Sequence, residues 1–143
     1  MKRNVFAYGT LIFPEVIKAV SGKRLVGEPA KLNSYKRRVL KDKIYPGVLK
    51  DEVSSVEGVL YKNLCPKTVL KLDDFEDGLY EKVELPVETA DGKTELADVY
   101  VISKKDRHKL SFKPWSDNEF SKKHLKKYTS KCLTWSKTKR WEE

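Results

Sequence analysis

Cysteine and histidine are scarce in this 143-residue chain, with two of each. Cys65 and Cys132 stand 67 positions apart, without a CxxC pair or a close pair of histidines. That excludes a disulfide scaffold and a Cys/His zinc site, and it suits a reducing compartment. No apolar run approaches the roughly 20 residues that cross a bilayer. The stretch over 4–9, behind Lys2 and Arg3, is too short and too soon broken by Gly9 to read as a signal core. No lipidation box stands at either end. The phosphate-binding glycine patterns, GxGxxG and GK followed by Ser or Thr, are missing, which disfavours nucleotide binding. With no repeat, low-complexity tract or Gly/Ser linker either, the expectation is a single domain over 1–143, cytoplasmic, monomeric and without a membrane partner.

Charge is plentiful and unevenly placed. Residues 1–100 hold 17 basic and 16 acidic groups, whereas residues 101–143 hold 13 basic and 5 acidic. A nearly neutral body therefore carries a cationic tail. Hydrophobic residues at 39% and aromatics at 10% are enough for a packed core.

The pattern along the chain predicts strands and helices that do not alternate strictly. A strand over 4–8 is broken by Gly9, and a helix opens near Pro14, carrying Val16, Ile17 and Val20 before Ser21-Gly22 stops it. Strands are expected over 25–40 (interrupted near Pro29), 47–49 and 56–61. A second helix starts at Pro66, with Val69, Leu72, Phe75 and Leu79 on one face and Gly78 as its C-cap. Val83, Leu85 and Val87 alternate with polar residues before the Asp91-Gly92 turn, and a return strand runs over 96–102, which reads as a hairpin. Ser116 with Glu119 forms a capping box for a last amphipathic helix, its stripe being Phe120, Leu125, Tyr128, Cys132 and Trp135. The fold class is α+β: a mixed, curved or barrel-like sheet flanked by helices, with a basic helical tail over about 116–143.

Two places carry chemistry. Tyr8-Gly9-Thr10-Leu11 lies between the first strand and first helix, where successive N–H groups can seat a carboxylate or oxyanion; taken alone, a plain tight turn is the simpler reading. The cluster Asp73-Asp74-Phe75-Glu76-Asp77 puts a carboxylate beside an apolar face, where desolvation would raise its pKa towards that of a general base; on composition alone a solvated helix end is the simpler reading. Neither cluster has the ligand pattern of a Mg²⁺ or Ca²⁺ site, so no metal or cofactor is expected. Cys132 and His124 lie on the basic helix, where packing explains the cysteine better than nucleophilic chemistry. Trp115, Trp135 and Trp141 among lysines read either as stacking platforms for nucleic acid or as pins that fix the tail to the body.

Taken in order, Val5-Phe6-Ala7-Tyr8-Gly9-Thr10-Leu11, Tyr45-Pro46-Gly47-Val48, Val56-Glu57-Gly58-Val59-Leu60-Tyr61 and the run from Leu72 through Tyr80 resemble the γ-glutamylcyclotransferase-like family. The tail from Trp115 is most similar to its plant avirulence-induced branch. The resemblance implies a mixed barrel with flanking helices and cofactor-free cyclisation of a γ-glutamyl amine or amino acid to 5-oxoproline. It implies Glu76 as the proton acceptor and Tyr8, Gly9, Thr10 and Leu11 as the substrate turn, extended through Ile12 and Phe13, with Tyr80 lining the pocket. Two positions depart from the common pattern: Asp77 follows the glutamate in place of glycine, and Lys82 replaces an arginine and loses its bidentate fork. The alternative is a family member without activity, or repurposed as a binding module, with nucleic acid on the basic tail.

Overall fold

The computed structural model describes residues 1–76 and 78–141. Five strands form a closed barrel in the order β1-β3-β2-β4-β5: β1 (Arg3–Ala7), β2 (Glu28–Val39), β3 (Pro46–Leu64), β4 (Tyr80–Thr89) and β5 (Thr94–Ile102). β1 is antiparallel to β3, with Phe6 opposite Leu60 and Ala7 opposite Val59, and meets β5 in parallel at Val5 and Asp98. That parallel seam is short. A side-chain clamp reinforces it, Arg3 donating to both carboxylate oxygens of the buried Asp98 at 3.0 and 2.5 Å.

Residues of β1 alternate between two packed layers. Phe6 and Tyr8 join Leu32, Val48, Leu60 and Val99 in a cluster built from the strands. Val5 and Ala7 face a second cluster shared with the helices α1 (Pro14–Ser21), α2 (Pro66–Phe75), α3 (Asp117–Lys123) and α4 (Leu125–Thr138). This is the period-two alternation of a strand covered on both faces.

The structure corrects three boundaries. The segments over 47–49 and 56–61 are parts of one long strand, β3. Its polar stretch over 51–54 falls where the β2–β3 register jumps from Asn33 opposite Ser55 to Tyr35 opposite Lys50, which interrupts the apolar pattern but not the strand. Gly78 does not cap α2. The helix ends at Phe75, whose ring packs against Trp135 and Trp141, and Glu76 takes the C-cap position in extended geometry. The tail helix is two helices, broken at His124, although Ser116 accepts from the Glu119 N–H as the capping signal predicts. Its stripe is buried at Phe120, Tyr128, Cys132 and Trp135, so the tail is part of the core.

Gly58 shows how closely β1 is held to β3. A Cβ there would sit 2.2 Å from the Ala7 carbonyl oxygen and 2.7 Å from the Phe6 ring. Gly58→Ala is therefore expected to force the strands apart and lower stability by about 1–3 kcal/mol, read by denaturant unfolding; wild-type stability would contradict this.

Candidate active site

β1 ends by delivering Tyr8 to a turn built from Gly9 and a 3-10 segment, Thr10–Ile12, ahead of the Pro14 helix start. The backbone runs close to β3 here: a Cβ at position 9 would lie 3.1 Å from the Pro46 ring, so a side chain would crowd it. Every carbonyl of the turn is engaged. Tyr8 O accepts from Arg37 Nη1 at 2.7 Å and Leu11 O from the Tyr61 hydroxyl at 2.7 Å, while Gly9 O and Thr10 O accept from the N–H groups of Ile12 and Phe13. Among the described residues, no hydrogen bond runs from the N–H of Gly9, Thr10 or Leu11 to a protein acceptor. Arg37, which holds Tyr8 O, is itself seated over the Trp115 ring at 5.1 Å.

A cavity of about 400 Å³ opens beside this turn. Tyr8, Gly9, Thr10 and Leu11 line it, and so do Glu76 and Tyr80. Glu76 reaches it because α2 stops one residue earlier and the Glu76 N–H closes the last turn onto Leu72 O at 3.1 Å. Tyr80 is fixed by donating from its hydroxyl to Pro46 O at 2.7 Å. The expected extension of the turn is not part of the lining: Ile12 and Phe13 pack on the helix-layer core, and Phe13 stacks on Phe120 at 5.5 Å.

Three lining tyrosines escaped the sequence reading of the site, Tyr45, Tyr100 and Tyr128. Tyr100 looks like an ordinary strand residue in sequence, and Tyr128 like one more member of a helix stripe; only the barrel's closure brings them together. Tyr8 donates its hydroxyl to Tyr100 O at 2.5 Å, Tyr100 donates to Asp73 Oδ1 at 2.5 Å, and Lys82 Nζ reaches Asp73 Oδ2 at 2.9 Å. Lys82, the departure from the arginine pattern, thus sits behind the cavity wall rather than in its lining. Burial raises the phenol pKa values of Tyr8, Tyr100 and Tyr128, and the negative charge of Glu76 raises each further. That shared dependence puts the Glu76 carboxylate within electrostatic reach of three phenols that stay protonated.

Among the described residues there is no group of three or more His, Cys, Asp and Glu arranged to hold a metal, and no helix is long and apolar enough to cross a membrane. Trp115 and Trp135 are buried, and burial pushes the Cys132 thiol up to about 12.

A family model described as "Gamma-glutamyl cyclotransferase, AIG2-like" matches residues 5–117, which include the turn, Glu76 and every strand of the barrel except the first residues of β1. The chain belongs to this family. Arabidopsis thaliana AIG2-like protein C is 29% identical over 121 residues, covering 81% of this chain and 70% of that protein. Protein AIG2 C of the same plant is 27% identical over 138 residues, covering 94% and 83%. A solution structure of an Arabidopsis thaliana protein superposes with a TM-score of 0.72 at 26% identity, covering 96% of this chain and 85% of that one. A γ-glutamyl cyclotransferase structure shares the fold, with a TM-score of 0.64 at 21% identity over 72% of this chain and 68% of that one.

For this AIG2-like chain the tyrosine arrangement has a spectroscopic consequence. Burial holds the phenols of Tyr8, Tyr61, Tyr100 and Tyr128 above the ordinary value, Tyr61 being pushed up to about 12. An alkaline absorbance titration should show late-ionising phenols, and Glu76→Gln should move part of that late fraction to lower pH; no movement would separate Glu76 from the phenols. The native phenols keep protons that the unfolded chain releases near pH 10, so their contribution to stability is complete below about pH 10 and is lost as pH rises above it.

Proposed function

We propose that the protein is a γ-glutamylcyclotransferase, converting a γ-glutamyl amine or γ-glutamyl amino acid to 5-oxoproline with release of the amine. One observation carries the reading: the carboxyl-bearing Glu76 and the 9–11 amides line the same cavity, whose volume of about 400 Å³ suits a small ligand.

Nucleophile and electrophile belong to one molecule, so the protein's task is to fold the substrate back and to manage protons. Well-aligned intramolecular reactions reach effective molarities on the order of 10⁵ M or more. An α-ammonium cannot attack, so Glu76 takes its proton first. The freed amine forms the C–N bond at the γ-carbonyl carbon, and charge moves onto the carbonyl oxygen. Collapse of that intermediate breaks the bond to the leaving nitrogen, which receives a proton from Glu76; the ring nitrogen gives up its second proton as the lactam forms, and the released amine takes one up to leave as an ammonium. The 9–11 N–H groups, whose carbonyl partners are all tied elsewhere, are suited to hold the substrate α-carboxylate or the developing oxyanion. The phenols of Tyr8, Tyr100 and Tyr128 stay neutral beside Glu76 at neutral pH and add no negative charge to it.

A binding module acting through the basic tail has less to draw on, because Trp115 and Trp135 are buried rather than displayed among the surface lysines. The test is 5-oxoproline release from a panel of γ-glutamyl peptides and amines. Glu76→Gln, with its circular dichroism unchanged, is expected to lose about 10²–10⁴-fold in kcat. Equal turnover by the variant, or no product from any member of the panel, would overturn the proposal.

A further inference from the structure

Exposure grades the cavity from floor to opening. Phe6, Leu11 and Tyr100 are buried, whereas Lys43, Asp74 and Trp141 are exposed and mark the rim. The proposed chemistry occupies the level of Glu76 and the 9–11 turn. What extends from there towards solvent is the substituent on the leaving nitrogen. The rim it would meet carries one ammonium, Lys43, and one carboxylate, Asp74, so charge alone gives little preference between acidic and basic leaving groups.

Aromatic surface is the more distinctive feature. Trp141 packs on Phe75 at 6.1 Å and on Tyr128 at 5.5 Å between ring centroids, and Trp135 meets Phe75 edge-on at 5.2 Å. All four rings line the cavity, and Trp141 is still 41% exposed, so part of its surface remains available to a ligand. Tyr128, Trp135 and Trp141 lie beyond the 5–117 stretch matched by the family model, so this wall is contributed by the chain's own C-terminal segment.

We infer that this aromatic rim, with Trp141 at its edge, binds the leaving amine and selects γ-glutamyl conjugates whose amine carries an aromatic or bulky apolar group. The inference rests on the cyclotransferase reading and deepens it. In apolar pockets a difference of this kind reads as roughly 10-fold or more in specificity.

The experiment compares γ-glutamyl-phenylalanine with γ-glutamyl-alanine. The wild type is expected to favour the phenylalanine conjugate about 10-fold in kcat/KM, mainly through KM; Trp141→Ala should bring the ratio close to one, and Trp141→Phe should restore most of it. A wild-type ratio at or below one, or a ratio unchanged in Trp141→Ala, would overturn the inference while leaving the cyclisation itself intact. Calorimetric binding to Glu76→Gln separates the two readings. If the wild type releases no 5-oxoproline from these two conjugates or from any member of the panel, the cyclotransferase reading fails, and the rim is judged on binding alone. Tighter binding of the phenylalanine conjugate, lost when Trp141→Ala is added, supports the rim, and equal binding of the two overturns it.

Discussion

Arg37 and Tyr61 hold the turn after β1 by its carbonyl oxygens, and the site depends on that grip. Arg37 takes Tyr8 O and Tyr61 takes Leu11 O, each at 2.7 Å, from β2 and β3 respectively. A four-residue turn has as many N–H groups as carbonyls. Two of the four carbonyls are fixed onto the barrel wall and the other two close the turn on itself, so in the proposed reading the amides are the set that meets a ligand. Backbone groups away from water carry a real free-energy cost when unmet, so such amides make a preorganised seat for negative charge. The support extends outwards: Arg37 lies over Trp115, whose indole N–H donates to Ile44 O at 2.9 Å. The entry to the basic tail thereby braces the turn.

On the opposite wall the decisive event is that α2 ends early. Had the helix run on to Gly78, the carboxyl at 76 would belong to its last turn. Instead Phe75 is wedged among the tryptophans, and Glu76 leaves helical geometry at the cavity. Asp73, one turn back, is occupied by Tyr100 and Lys82. Two acidic residues three positions apart thus have different surroundings: one is tied into a hydrogen-bonded pair behind the wall, the other lines the cavity. Separation of roles between neighbouring carboxylates by environment is a recurrent feature of acid–base sites.

Much of this was legible in the amino-acid order. Gly9 between a β-rich stretch and Pro14, the Asp91-Gly92 hairpin, and the capping serine at 116 are local signals, and local chemistry decided them. The turn residues 8–11 and Glu76 were named through the resemblance to the family; the residues alone left a plain turn and a solvated helix end open, and the structure puts both segments on one cavity. The sequence was silent on Tyr100 and Tyr128 because their place in the cavity depends on strand order and on α4 lying against α1, which are long-range facts. Gly78 misled for a similar reason: a good local stop signal was pre-empted when Phe75, three residues earlier, packed against Trp135 and Trp141 and the helix ended there. The polar stretch over 51–54 split one strand into two on paper, since a bulge interrupts alternation without ending pairing.

The central claim is that the 9–11 amides and the Glu76 side chain bound one site for a glutamyl-derived ring. Amide chemical shifts recorded during titration with 5-oxoproline test it without requiring turnover. Saturable shifts concentrated at Gly9, Thr10 and Leu11, with accompanying change at Glu76, are the predicted result. Shifts gathered on the lysine face of α4, or none at all at concentrations that saturate a product site, would contradict it.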